Sequence, residues 1–143
     1  MITTEDYVSF ETAKLLKEKG FDEVTYRAYF ETIREHELSF DVGRNNSQWE
    51  KINKENGIFN CSAPTLQTAM KWLRKEHNQI IIPDVRVEDP ISGIINCYVV
   101  GIWYIPKNNG GALCFISPTP ENGYSTYEEA CEAGIKYCLE NLI

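Results

Sequence analysis

The sequence predicts a single domain of the α+β class, spanning residues 1–143, with three helices packed on a mainly antiparallel sheet of about four to five strands. Three observations support this prediction. Hydrophobic residues make up 43% and charged residues 24% of the 143 residues, as in ordinary globular domains. The apolar pattern alternates between a helical period and a period of two, in the order α-β-β-α-β-β-β-α. Hairpin-length connections in the second half favour antiparallel pairing.

The first predicted helix is the segment SFETAKLLKEKG. Ser9 is suited to the N-cap, apolar residues recur at helical spacing, and Gly20 can adopt the left-handed conformation that ends a helix. The residues that follow, 24–31, are rich in β-branched and aromatic side chains, and residues 38–42 form a second apolar run. We expect these two runs to form a hairpin.

Residues 43–61 are dense in Asn, Lys and Gly and show no sustained apolar period. This composition predicts a long surface loop, held to the domain by Trp49, Ile52 and Phe59. Long loops in compact domains are often functional, and the segment is therefore a candidate contact region.

A second helix is predicted over residues 64–77, because Pro64 suits a first helical turn and one side is apolar. Asn78 can end it. Strands are then predicted over residues 80–88 and 94–105. Both faces of the second of these strands are apolar, which indicates a central strand with at least partial cover on each side.

The segment ALCFIS predicts the antiparallel partner of that central strand, after the turn PKNNGG. The last helix starts at Ser125 or Thr126, either of which can cap it. Glycine within a helix costs about 1 kcal/mol relative to alanine. We therefore expect the backbone at Gly134 to be approached closely by a neighbouring backbone or by a large ring such as Trp103.

Four residues of the second helix form a candidate nucleic-acid surface. Lys71, Arg74 and Lys75 lie away from its apolar stripe and could contact phosphates, with Trp72 stacking on a base. The net charge of the chain is −7, which disfavours a nucleic-acid partner. The alternative, which the sequence favours, is that these cations form a solvated helix face.

The five cysteines contain no CxxC pair and no zinc-site spacing, so the sequence predicts neither a metal site nor a cofactor. Cys61 precedes a helix, where a thiol can have a lowered pKa and act as a nucleophile, with His36 or His77 as base. No catalytic signature flanks Cys61, and a thiol-dependent enzyme is therefore only the alternative. Cys131 and Cys138 share a helix stripe and are expected in the core.

No apolar run reaches the length of about 20 residues that a membrane-spanning helix needs, and the first residues do not resemble a secretory signal. We therefore expect a cytoplasmic protein without a membrane partner.

The eight tyrosines are many for 143 residues, and aromatic sheet faces are common binding surfaces. Without a catalytic constellation, the sequence favours a non-enzymatic protein that binds an unknown protein partner through an exposed sheet face or through residues 43–61. A second copy of the chain, forming a homodimer, is the alternative occupant of such a face.

The segments SFETAKLLKEKGFDE, SAPTLQTAMKWLRKEHN and GYSTYEEACEAGIKYCLENLI, in this order, resemble a group of small uncharacterised phage and prophage proteins of gut Bacteroides and their relatives. The resemblance covers both ends of the chain and the middle helix. It implies a bacterial cytoplasm and a gene on a mobile element. It implies no activity and no site residue.

Overall fold

A computed structural model describes residues 7–89, 91–107 and 110–143. These residues form an α+β fold, as predicted. The described elements, in chain order, are α1 (Phe10–Glu18), β1 (Thr25–Glu31), β2 (His36–Arg44), α2 (Asn46–Asn56), β3 (Cys61–Ser62), α3 (Leu66–His77), β4 (Ile80–Asp89), β5 (Ile94–Tyr104), β6 (Cys114–Ile116), α4 (Tyr127–Tyr137) and a π-helical turn (Cys138–Leu142).

The described residues contain four α-helices and two three-stranded antiparallel sheets, where the sequence predicted three helices and one sheet of four to five strands. The chain divides into two compact units, Met1–Ala69 and Met70–Ile143. Each unit contains one of the sheets. The expectation that residues 1–143 form a single domain stays a prediction.

The sheet of the first unit has the strand order β2-β1-β3. The predicted hairpin is confirmed, with Arg27 opposite Phe40 and Tyr29 opposite Leu38. The two-residue strand β3 pairs with the other edge of β1 and places Cys61 opposite Tyr29.

Both ends of α1 form as the sequence predicts. The hydroxyl oxygen of Ser9 accepts a hydrogen bond from the Thr12 N–H at 3.2 Å. Gly20 has φ +96°, and the Phe21 N–H donates to the Leu16 carbonyl at 2.9 Å. This Schellman ending satisfies carbonyls that the helix leaves unpaired, while Leu16 and Phe21 are both buried.

The prediction of a surface loop over residues 43–61 is wrong, because most of that segment forms α2. The side chain of Asn45 accepts from the Gln48 N–H, and the Gln48 side chain accepts from the Asn45 N–H, which is a capping box. Gly57, with φ +64°, ends the helix. Buried Asn53 exchanges two hydrogen bonds of 2.9 Å with the backbone of Asn60, so an asparagine that suggested a loop instead fastens a helix.

Helix α3 starts two residues after Pro64. The hydroxyl oxygen of Thr65 accepts from the Thr68 N–H at 3.1 Å, which satisfies one donor of the first turn. Asn78 has φ +54° and follows the last helical residue, as the sequence predicted.

The sheet of the second unit has the order β4-β5-β6, and the prediction that β5 is the central strand is confirmed. The register places Ile82 opposite Gly101 and Ile80 opposite Trp103, and Trp103 in turn opposite Phe115. Side chains at paired positions lie on one face, so this register defines an aromatic and aliphatic row across the sheet.

Helix α4 packs on the opposite face of this sheet. The hydroxyl of Thr126 caps the helix by accepting from the Glu129 N–H at 3.1 Å. A Cβ added at Gly134 would lie 2.8 Å from Ile81 Cγ2 and 2.9 Å from Val100 Cγ2. The predicted close approach is therefore present, but two branched side chains make it, and neither a backbone nor Trp103 does.

Candidate interaction surfaces

The candidate nucleic-acid residues divide into an exposed group and a buried ring. Lys71, Arg74 and Lys75 are exposed on α3. Trp72 is only 6% exposed, and its ring lies edge-on to His77 with the centroids 4.8 Å apart. The indole therefore offers no open face on which a base could stack. Leu66, Met70 and Leu73 are buried, as the predicted apolar stripe requires.

Burial controls the chemistry of Cys61. This residue lies in β3, is fully buried, and its desolvation raises the pKa of the thiol to about 12, although Lys17 and Lys14 act in the opposite direction. The lowered pKa inferred from the sequence is wrong. His36, a candidate base, is occupied elsewhere: its Nε2 lies 2.9 Å from the Phe59 carbonyl oxygen, and its ring stacks on Phe10 at 3.9 Å.

The other buried thiols lie where a core residue is expected. Cys131 and Cys138 are fully buried on one stripe of the last helical segment, as predicted, and burial raises the pKa of each thiol. Within the described ranges, no cluster of three or more His, Cys, Asp or Glu residues is placed to hold a metal ion.

One face of the second unit's sheet exposes several apolar side chains. We call it the open face and define it by Ile80, Ile82, Gly101, Trp103 and Phe115. Ile82 is 42%, Trp103 37% and Phe115 53% exposed. On the other face, Ile102 and Val100 are buried beneath α4. A sheet covered on one side only is usual for antiparallel proteins, but the uncovered side is then polar, and here the row from Ile80 and Ile82 to Phe115 is apolar.

Glycine shapes the middle of the open face. A Cβ at Gly101 would lie 2.5 Å from Cζ of Phe115, so the Phe115 ring occupies the space above the glycine. The ring also contacts Trp103, with the centroids 4.8 Å apart. Beside these rings is a depression of about 190 Å³, which is lined by Ile82, Asp84, Val99, Val100, Gly101, Phe115 and Ser117. The depression can take one large apolar side chain, and Asp84 gives it an acidic rim.

The outer edge of β4 resists the addition of another strand. The Val85 N–H is hydrogen-bonded to the Asp84 side chain at 2.8 Å, so it points away from β5. Pro83, two residues earlier on β4, faces the same edge and has no N–H. Two successive donor positions on this edge are therefore closed to a β-strand partner.

Sequence alternation predicted part of the open face. Alternation along residues 94–105 sets Gly101 and Trp103 on one face of the central strand, but the sequence did not indicate that Ile82 and Phe115 share this face. The available signal was the alternation in ALCFIS, which sets Leu113 and Phe115 on one side and Cys114 and Ile116 on the other.

Comparisons with models of known protein families, with curated proteins and with solved structures give no match. Within the described ranges, none of the helices has the length and apolar character needed to cross a membrane.

Proposed function

We propose that this is a non-enzymatic binding protein whose open face docks another protein. The observation that carries the proposal is the row of exposed apolar side chains, Ile82, Trp103 and Phe115, on a regular sheet whose other face is covered. Aromatic side chains grouped around a depression are typical of the centre of a protein interface. The resemblance to phage and prophage proteins supports a bacterial partner and is part of this proposal.

Charge favours a foreign partner over a second copy of the chain. The chain carries a net charge of −7, so two copies repel each other at long range. Asp84 is exposed and lines the depression. The partner that fits is a protein segment with one large apolar side chain flanked by lysine or arginine, because such a segment fills the depression and pairs with its acidic rim.

A library of displayed peptides selected on the full chain tests this specificity. We expect the selected peptides to share one large apolar residue with a neighbouring basic residue. A synthetic peptide of that consensus should lose affinity by at least about tenfold for an Ile82→Glu variant. The matched control is Ile33→Glu, because Ile33 is fully exposed at 102% in a turn of the other unit and lies outside the open face.

Peptides that bind both variants equally, or a consensus without a basic residue, would contradict the proposed partner. Sedimentation of the unaltered chain tests the second copy directly. Dimers that form as concentration rises and disappear in Ile82→Glu would assign the open face to self-association, and the proposal of a foreign partner would then be wrong.

Nucleic-acid binding through Lys71, Arg74 and Lys75 is the second candidate function, and the exposure of all three cations is the observation that favours it. Because Trp72 is buried, this binding would depend on phosphate contacts alone and would weaken steeply with salt. Arg74→Glu should then reduce the affinity for both single- and double-stranded DNA. Absence of binding at low salt would exclude this candidate.

A further inference from the structure

A second concave site lies in the first unit, independent of the open face. It is a groove of about 230 Å³, which we call the Arg27 groove, lined by Tyr7, Val24, Thr25, Tyr26, Arg27, Ala63, Pro64, Thr65 and Thr68. Its walls are mainly aromatic and aliphatic. Arg27 is the one charged residue of this lining, and it is half-buried.

The guanidinium of Arg27 is held in place by aromatic rings and by its own backbone. Its Cζ lies 3.3 Å from the centroid of the Phe40 ring and 5.9 Å from that of Tyr7. Nη1 donates to the Tyr26 carbonyl oxygen at 3.1 Å. Stacking of this kind fixes the plane of a guanidinium, so its N–H groups point in set directions.

Arg27 gives the groove a hydrogen-bond donor without an acceptor. Nε of Arg27 is buried and has no hydrogen-bond partner among the described residues. No carboxylate of the described residues forms an ion pair with Arg27, and the other residues that line the groove are uncharged. The Thr68 hydroxyl oxygen accepts from Thr65 at 2.9 Å, so the Thr68 hydroxyl proton is not used in that hydrogen bond.

A buried N–H without an acceptor is unfavourable, and a ligand that supplies the acceptor removes this cost. An anion with two oxygens also matches the edge of a guanidinium. We propose that the Arg27 groove binds a small organic anion, with its carboxylate or phosphate group on Arg27 and Thr68 and its flat or apolar body between Tyr7 and Tyr26.

Titration calorimetry of the full chain tests the proposal with benzoate, phenyl phosphate and benzamide. Benzamide has the shape of benzoate without its charge. We expect saturable binding of one or both anions and binding of benzamide that is weaker by about tenfold or more, because a charge-assisted hydrogen bond is lost. The preferred anion then identifies the group as a carboxylate or a phosphate.

Arg27→Gln should reduce the affinity for that anion by about tenfold, whereas Arg34→Gln, in the exposed turn between β1 and β2, should not change it. Because Arg27 also stacks on Phe40, Thr68→Val gives a second test that leaves this stack intact, and it should weaken binding by a smaller factor. Equal affinity of the anions for the unaltered chain and for Arg27→Gln, or the absence of saturable binding, would overturn the proposal.

Glu5 and Asp6 immediately precede Tyr7 in the sequence and carry the same carboxylate chemistry. The double variant Glu5→Gln, Asp6→Asn tests whether these carboxylates bind Arg27. If they do not, the variant should bind the anion with the affinity of the unaltered chain. If this double variant binds the anion and the unaltered chain does not, the chain's own carboxylates are the ligand of the groove, and the inference of an external anion is wrong.

Discussion

The two sheets of this protein share two local features and differ in the side chains that contact their exposed aromatic rings. In each, a ring from one strand covers a glycine of its neighbour: Tyr26 over Gly43 in the first sheet and Phe115 over Gly101 in the second. In each, an aspartate on an outer strand binds the next N–H, as Asp84 does for Val85. Both sheets therefore have an outer strand with a blocked donor.

The partners of the rings differ. In the first sheet, the guanidinium of Arg27 covers exposed Phe40. In the second sheet, Trp103 and Phe115 contact each other, and no cation of the described chain lies over either ring. Exposure of an apolar side chain is therefore weak evidence of a binding surface by itself. Exposed rings that contact only each other, with no charged side chain over them, are stronger evidence, and this arrangement distinguishes the open face from the first sheet.

The largest expected effect separates the two faces of the second sheet. Ile102 is fully buried on the covered face, and Ile102→Ala should lower the free energy of unfolding by about 2–5 kcal/mol. Ile82, on the open face, is already 42% exposed, and Ile82→Ala should cost about 1 kcal/mol or less. Urea unfolding followed by circular dichroism measures both. Similar losses would show that the open face contributes to the core and would weaken the docking proposal.

The last strand of each sheet, β3 in the first and β6 in the second, contains one cysteine, and these two cysteines provide the next test. Cys61 in β3 is fully buried with a pKa of about 12, whereas Cys114 in β6 is partly exposed. Iodoacetamide at neutral pH should label Cys114 faster than Cys61 by on the order of a hundredfold, since the thiolate is the reacting form. Mass spectrometry of digested protein gives the two rates. Selective labelling of Cys61 would instead support the thiol-dependent enzyme.

The covered glycines should differ in their tolerance of a side chain. Gly43 has φ +99°, and a Cβ there would also lie 2.7 Å from Tyr26 Cε1, so Gly43→Ala should cost about 1–3 kcal/mol. Gly101 has no positive φ, and the exposed Phe115 ring can turn away. Gly101→Ala should therefore change the free energy of unfolding by less than about 1 kcal/mol. It should also lower the affinity for the selected peptide, because the Phe115 ring has moved. If Gly101→Ala is the more destabilising, the Phe115 ring is fixed and the open face is rigid.

The sequence predicted the elements whose ends are set by single residues. Ser9 and Gly20 delimit α1, and Thr126 caps α4, because these side chains act on the backbone within a few positions. Helix α2 was missed because the asparagines that cap and fasten it also occur in loops, and their hydrogen bonds to Asn60 and neighbouring backbone are visible only after folding.

The division into two sheets was also not predictable. Local periodicity identifies strands, but it does not identify which strand pairs with which. The same limit applied to the open face. Alternation in β5 separates its two faces, but the choice of the covered face depends on the contact of Gly134 with Ile81 and Val100. Neither the Arg27 groove nor the open face is a contiguous segment, so no sequence motif marks either one.

The smallest expected effect concerns pH and uses the histidine of the second unit. Burial lowers the pKa of His77 below its ordinary value; Lys107 acts in the same direction and Glu76 opposes it. The unfolded chain therefore takes up a proton on His77 at a higher pH than the folded chain does. The contribution of His77 to stability is then complete above the ordinary histidine pKa of about 6.5 and is lost as pH falls toward the folded value.

His77→Gln removes this titration, and we expect unfolding free energies of the variant to fall less than those of the unaltered chain between about pH 7 and pH 5. The contact of His77 with the Trp72 ring gives an independent readout, because charging the imidazole 4.8 Å from the indole should change the fluorescence of Trp72. Parallel stability curves for the two proteins would mean that His77 is as well solvated in the folded chain as in the unfolded one. Burial against Trp72 would then not lower the pKa of His77.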